Sequence, residues 1–236
     1  MSTRQPIAVI PARGGSQRIP GKNLRPMLGI PLISRAVGIC LESGIFESVV
    51  VSTDSPDIRD LAEQAGALVL DRPSDLADNH TPLLPVMEHA VSDMAPDTPV
   101  CCFYATAVTV RPADVAASWH RFQSLSTSDP HATSFLTGIV KFPHPIQRAL
   151  MLGDSGELTM LHHEFAQTRT QDLPARWHDA GAFIWGTARA WAQSEPVLAR
   201  AYGFPLDRAQ VVDLDTEEDW EIAERLLSMQ FIDPPD

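Results

Sequence analysis

The stretch Pro11-Ala-Arg-Gly-Gly-Ser-Gln-Arg-Ile-Pro-Gly-Lys-Asn23 combines three glycines with three cations directly after an apolar segment. Gly14 and Gly15 allow close backbone approach, and Arg13, Arg18 and Lys22 can neutralise several phosphate oxygens. A polyphosphate is the guest such a loop suits; the alternative is a surface loop with incidental arginines. Two familiar phosphate loops are excluded by counting. Walker A needs four residues between its glycines and Ser or Thr after Lys, whereas five separate Gly15 from Gly21 and Asn23 follows Lys22. No G-x-G-x-x-G occurs, and Pro20 and Pro26 prevent an immediate helix. A second group is Asp213-Leu214-Asp215. On an extended strand, residues two apart share a face, so both carboxylates can meet one hard cation, Mg²⁺ above all. Taken alone, the pair equally suits ordinary acids ahead of a helix capped by Thr216.

The elements that must position these residues alternate. Ile7 to Ala12 reads as a strand, followed by the loop and then a helix on the period Leu32, Ile33, Ala36, Val37, Cys40 and Leu41. Ser48 to Thr53 is a buried strand, and Ser55 caps a helix whose first position is Pro56. Ala67 to Leu70 reads as a strand, Thr81-Pro82 opens a helix through Met94, Val100 to Ala105 is a strand, and Pro112 to Gln123 is amphipathic. Such alternation predicts an α/β fold with a mostly parallel sheet covered on both faces. The rhythm then breaks. Ala132 to Val140, Gln147 to Leu152 and Leu158 to Met160 read as a meander, giving an excursion at about residues 140–180. Gly181 to Trp185 resumes the strands, with a helix near Ala188 to Gln193. Gln210 to Leu214 is expected as a final strand, and Thr216 with Asp219 forms a capping box for a helix through Leu227. No repeat or long linker divides residues 1–236, which predicts a single domain.

The 236 residues carry 18 Lys and Arg against 30 Asp and Glu, a net charge of −12, with 44% hydrophobic residues. An acidic chain argues against nucleic acid as the main partner. No apolar run approaches the roughly 18 residues of a membrane span, and the N-terminus lacks a signal-peptide pattern. Cys40, Cys101 and Cys102 form neither a metal spacing nor a disulfide framework, so a cytoplasmic location is expected. His162-His163 lacks an acid or Cys partner at metal spacing and reads as structural. Charge is unevenly placed: residues 1–41 hold six bases and no acid, while residues 207–236 hold ten acids and two bases. A polyanion site at one end and a cation site at the other would account for both.

Together, Ala12 to Asn23, Val51-Ser-Thr-Asp54, Arg72-Pro-Ser-Asp-Leu-Ala-Asp78, Tyr104-Ala-Thr106 and Asp213-Leu-Asp-Thr-Glu-Glu-Asp-Trp220 resemble the CMP-nonulosonate synthetases, cytidylyltransferases for sialic-acid-like sugars. Phe142-Pro-His-Pro-Ile-Gln-Arg148, Thr168-Arg-Thr-Gln-Asp172 and His178-Asp-Ala-Gly181 with Trp185 are most similar to the branch that activates pseudaminic acid. The resemblance implies a three-layer, Rossmann-like nucleotidyltransferase sheet, usually dimeric through a β-rich excursion. It also implies transfer of CMP from CTP to the anomeric hydroxyl of a nonulosonic acid, with release of pyrophosphate. N-acetylneuraminate and Kdo are the alternative acceptors, and a non-catalytic nucleotide-binding regulator is the alternative class.

By the same resemblance, Arg13, Lys22, Asp213 and Asp215 are the catalytic candidates, with Asp213 and Asp215 holding Mg²⁺. Ala12, Gly14, Gly15, Ser16, Arg18, Asn23, Arg72 and Asp78 are expected around the nucleotide, Asn23 and Arg72 beside the cytosine. Tyr104, Thr106, Gln147, Arg148, Arg169, Gln171 and Asp179 are expected around the sugar, those of the excursion reaching the partner's site. The chain departs from the family at Gln17, where Lys is frequent, and at Val108-Thr-Val110, where Pro and bulkier residues are usual. The second departure is expected to reshape the sugar pocket.

Overall fold

The computed structural model describes residues 4–16, 18–78, 80–128, 135–193 and 196–232. In chain order the strands and helices are β1 (Ile7–Pro11), β2 (Pro26–Met27), β3 (Ile30–Pro31), α1 (Leu32–Glu42), β4 (Ser48–Thr53), α2 (Pro56–Gln64), β5 (Leu68–Asp71), α3 (Leu83–Val91), β6 (Pro99–Phe103) and α4 (Pro112–Ser128). They continue as β7 (Phe135–Lys141), β8 (Leu150–Leu152), β9 (Leu158–Met160), β10 (Trp177–Thr187), α5 (Ala188–Trp191), β11 (Ala201–Pro205) and α6 (Glu217–Ile232).

Seven strands form one sheet in the order β11-β7-β10-β6-β1-β4-β5. β1 runs parallel to both β4 and β6, β4 to β5, and β11 to β7; β10 alone runs against its neighbours β6 and β7. Period-two alternation divides the interior into two cores. Ala8, Ile10, Cys101 and Phe103 face a core shared with α1, α2, α4 and α6. Val9, Val100 and Cys102 face a second core shared with α3 and α5. Every residue of β6 is buried, so Cys101 and Cys102 are unpaired thiols looking into opposite layers.

Local signals set several of these boundaries. The Ser55 hydroxyl accepts the Ile58 N–H at 3.4 Å with Pro56 at the first helical position. Thr216 and Asp219 form the expected capping box: the Asp219 N–H donates to Thr216 Oγ1 at 3.2 Å, and the Thr216 N–H to Asp219 Oδ2 at 2.8 Å. Burial works against the Asp219 charge, yet hydrogen bonds from the Thr216 hydroxyl and amide and the Asp215 amide hold its carboxyl below the usual range.

Two expectations are revised, and a third lies partly outside the described residues. Gln210–Leu214 joins no ladder; Arg208–Gln210 is a 3-10 turn and the residues after it pack Val211, Val212 and Leu214 onto the core without strand partners. The strand at that edge is β11 instead, a mostly exposed Ala-Tyr-Gly-Phe-Pro segment. Gln147 lies in a 3-10 turn rather than a strand. β7 starts at Phe135, and residues 132–134 of the expected strand lie outside the described residues. The excursion leaves β7 and rejoins β10 where Lys141 pairs with Trp177, and it carries β8 and β9 as a separate hairpin with Leu150 opposite Met160 and Leu152 opposite Leu158. On its far side, His162 Nδ1 lies 3.5 Å from a Glu164 carboxylate oxygen.

Trp185 on β10 locks the sheet to its helices. Its ring centroid lies 5.6, 5.2 and 5.9 Å from those of Phe46, Trp119 and Phe122, and its indole N–H donates to Ser118 Oγ at 2.8 Å. Trp185→Ala is expected to lower the unfolding free energy by about 3–5 kcal/mol in chemical denaturation. A loss below about 1 kcal/mol would show that the aromatic cluster does not secure β10.

Candidate functional site

The strand order reverses direction at β1, between β4 and β6, and ligands of open α/β sheets bind outside the carboxyl ends at such a point. The segments that follow β1, β5 and β6 converge there on a cleft of about 540 Å³. Arg13, Ser16, Arg18, Lys22 and Asn23 line one side; Arg72, Tyr104 and Thr106 line another, and Thr81 to Leu83 with Val86 close it at the start of α3.

The glycine-rich loop is a built structure. The Ala12 N–H donates to the Ser52 carbonyl at 2.9 Å, and the Gly14 N–H to Asp54 Oδ1 at 2.9 Å. Ile19 plugs the core, and buried Asn23 donates from Nδ2 to the Arg13 carbonyl at 3.0 Å. Gly21 sits at φ +64° and accepts the Leu24 N–H at 2.9 Å, a turn that a Cβ would strain. Arg13 Nη1 donates to the Asp78 carbonyl at 2.9 Å. The Asp78 carboxylate accepts the His80 and Thr81 amides and the Thr81 hydroxyl, which hold it below the usual carboxylate range, so its side chain shapes the approach to α3. Arg72 is fixed by Ser52, with Nε donating to Oγ at 3.2 Å and Nη2 to the carbonyl at 2.7 Å. Burial lowers its pKa, a shift that Asp54 opposes.

The acidic segment reaches this loop from the far end of the sequence. Arg18 pairs with Asp215, Lys22 Nζ donates to the Leu214 carbonyl at 2.5 Å, and Arg25 pairs with Glu217 at 2.7 Å. Asp213 and Asp215 therefore meet, although not as strand neighbours; the chain turns between them, the Asp215 N–H donating to the Asp213 carbonyl at 3.1 Å. Neither Asp213 nor Asp215 is among the residues lining the cleft; desolvation and then the Asp215 charge push the Asp213 carboxyl upward against Lys22 and Arg18. Desolvation lowers the Lys22 ammonium, opposed by Asp215 and Asp213. Two neighbouring carboxylates, with Asp213 made costlier to ionise by Asp215, suit a cation and a polyanion bound together beside these cations.

The sugar-side candidates divide. Tyr104 and Thr106 line the cleft, and the Tyr104 phenol is held up by burial, with Asp179 and Asp213 adding to it. Asp179 spends Oδ1 on the Gly181 N–H at 3.0 Å. Gln147, Arg148, Arg169 and Gln171 do not line this chain's cleft. Gln147 is buried and donates to the Pro174 carbonyl at 3.3 Å, Arg148 donates to the Thr168 carbonyl, and Arg169 and Gln171 are exposed at a 3-10 turn. Val108 to Val110 are buried in the core, so this departure does not rebuild a cleft wall as expected. Gln17 lies outside the described residues. Sequence reasoning missed the roles of Ser52, Asp54 and the Thr81–Val86 wall; the strand-end run Val51–Asp54 was the available signal.

The sequence pattern described as Cytidylyltransferase matches residues 7–149. The chain is 35% identical over 226 residues to pseudaminic acid cytidylyltransferase of Campylobacter jejuni subsp. jejuni serotype O:2, covering 93% of this chain and 95% of that protein. It is 28% identical to N-acylneuraminate cytidylyltransferase B of Danio rerio over 94% of this chain and 51% of the relative. Among solved structures, a CMP:2-keto-3-deoxy-manno-octonic acid synthetase complexed with CTP superposes with a TM-score of 0.68 over 96% of this chain and all of that one, at 17% identity, which speaks to the fold. A nucleotidyltransferase sheet with a cationic loop at its switch point, matched by sequence over nearly its whole length, places this chain in the cytidylyltransferase family.

Proposed function

We propose that this cytidylyltransferase uses a nonulosonic acid as acceptor, pseudaminic acid first, with CTP as donor and Mg²⁺ as cofactor. The observation that carries the reading is the end-to-end similarity to pseudaminic acid cytidylyltransferase, at 35% identity and with neither chain left largely uncovered. The anomeric hydroxyl oxygen of the sugar forms a bond to the α-phosphorus as the bond to the β-phosphate oxygen breaks; the hydroxyl proton is lost and pyrophosphate leaves. Two anions must be brought together, so positioning and charge neutralisation supply most of the acceleration. Arg13, Arg18 and Lys22 hold the triphosphate, Asn23 and Arg72 face the base, and Tyr104 and Thr106 face the acceptor. The hard oxygen donors of Asp213 and Asp215, crowded and mutually repelling, fit Mg²⁺. When bound there, the ion neutralises charge on the reacting phosphates. Consumption of CTP and three unpaired thiols agree with a cytoplasmic enzyme.

A homodimer completes this reading. The β8–β9 hairpin exposes Leu150, Met151, Leu152, Leu158 and Leu161, with Leu152 73% and Leu158 64% accessible, and Trp177 is exposed at its base. An isolated two-stranded hairpin is marginal in water, so an apolar one of this kind calls for a covering surface. A second copy of the chain supplies it, and the excursion then carries Arg169 and Gln171 toward the partner's sugar site. Gln147 and Arg148 brace that arm.

Pyrophosphate release with CTP and pseudaminic acid should exceed that with N-acetylneuraminate or Kdo. Equal turnover of ATP or GTP, or no CMP-sugar from any nonulosonic acid, would reject the reading.

Asp213→Asn and Asp215→Asn should each reduce turnover by at least about 10²-fold, the scale of losing an electrostatic group at a reacting phosphate. Because folding raises the Asp213 pKa, its charge opposes the fold above that pKa. Asp213→Asn should therefore match or exceed the wild-type Tm at neutral pH. Full activity at limiting Mg²⁺ in both variants would make the pair structural.

Arg169→Ala should raise KM for the sugar about tenfold or more, with little change for CTP, as expected for loss of a charged hydrogen bond to the ligand. Mixed dimers of Arg169→Ala and Asp215→Asn subunits should regain one working site. A monomer in solution, or verified mixed dimers without activity, would reject the shared site.

A further inference from the structure

Asp213 and Asp215 lie on a segment that no ladder holds, so a sheet does not fix where their carboxylates point. The segment is tied at the residues on either side of Asp213. The Leu214 carbonyl accepts Lys22 Nζ at 2.5 Å, and the Val212 N–H donates to Thr109 Oγ1 at 3.3 Å. Lys22 belongs to the nucleotide loop and has phosphate to answer to. Thr109 belongs to the core.

Thr109 is 1% accessible and sits between Val108 and Val110, both buried, in the turn between β6 and α4. A buried hydroxyl is costly unless it is hydrogen-bonded, and valine would fill nearly the same volume on either side of the sequence alternation. The one hydroxyl in Val-Thr-Val is the one that meets the acidic segment. Gly181 on the β10 bulge also meets this segment: it has φ +59°, and a Cβ there would stand 3.3 Å from Asp213 Cγ. Asp213, itself exposed, thus stands against a bulge without a side chain and follows a backbone amide tethered to the core.

We propose that Thr109 is a positioning residue for metal binding, its hydroxyl holding Val212 so that Asp213 and Asp215 present their carboxylates together to the divalent cation. This rests on the reading of those two aspartates as the metal ligands. Thr109 touches no substrate; it acts through the backbone of residue 212.

The test compares wild type, Thr109→Val, Thr109→Ser and Thr137→Val. Thr137 is another buried threonine, whose hydroxyl meets the carbonyls of Gly138 and Phe183. Mn²⁺ binding to the enzyme with CTP alone is followed by electron paramagnetic resonance, and Mg²⁺ half-saturation by pyrophosphate release. Thr109→Val should weaken Mn²⁺ binding and raise the Mg²⁺ half-saturation about three- to tenfold, the scale of one lost hydrogen bond, with kcat at saturating Mg²⁺ changed less. Thr109→Ser should restore both, and Thr137→Val should lower Tm without moving either. If valine is not accommodated, Thr109→Ala against Thr137→Ala makes the same comparison. A shift in Thr109→Val no larger than in Thr137→Val, or no recovery with serine, overturns the proposal. Asp215→Asn binding Mn²⁺ as tightly as wild type would overturn the metal reading and this proposal with it. Loss of binding in Asp215→Asn beside wild-type binding in Thr109→Val would overturn the Thr109 role alone.

Discussion

The attraction between a cationic loop near the start of the chain and an acidic segment near its end organises the site. Lys22, Arg18 and Arg25 meet Leu214, Asp215 and Glu217 across almost two hundred residues of sequence. The Arg25 guanidinium also lies 4.2 Å from the Trp220 ring centroid, where the first turn of α6 packs. Exposed ion pairs contribute about 0–1 kcal/mol each, so these contacts do little for global stability. Their effect is positional: they bring carboxylates against the cationic loop that lines one side of the cleft.

The sheet makes that meeting possible. β1 is flanked by parallel partners on both sides, so its following loop opens into the crevice where the topology switches. β10 runs the other way, and its first half therefore arrives at the same end of the sheet as the loops after β1, β4 and β6. That reversal puts Asp179 and Gly181 beside Tyr104 and Asp213. The charge imbalance then has a local cost, since Asp213 and Lys22 are both pushed away from their charged forms by desolvation. Such frustration is characteristic of binding sites that are completed by a ligand.

Much of this was legible in the sequence where local physics decides the outcome. The buried run Ser48–Thr53, the Ser55-Pro56 start and the Thr216–Asp219 capping box each carry their own signal. The loop Pro11–Asn23 was legible as a ligand-facing element because glycines and cations clustered after a first strand, and its Arg13, Arg18 and Lys22 do line the cleft. The segment Gln210–Leu214 was misread because apolar residues packing on a core give the same pattern with or without a ladder. β11 was missed because an exposed edge needs little hydrophobicity and tolerates Gly203 and Pro205. Val108 to Val110 were misplaced because burial depends on how the turn after β6 folds back. The excursion's residues could be assigned only by family resemblance, since its short strands and 3-10 turns follow no period that marks which side chains face a ligand.

The excursion has its two ends already joined: the Phe142 N–H donates to the Arg176 carbonyl at 3.0 Å, one step beyond the pairing of Lys141 with Trp177. The intervening residues hang from a closed clasp on adjacent antiparallel strands. Closing a loop whose anchors are fixed by the sheet depends only weakly on its length, with each doubling costing about 0.6 kcal/mol. Insertions, deletions and exchanges within it leave the register of β7 and β10 intact. The architecture thus uncouples the two parts mechanically: the loop after β1 is tied into the sheet, while the arm hangs from a clasp that tolerates a different length or surface between its ends.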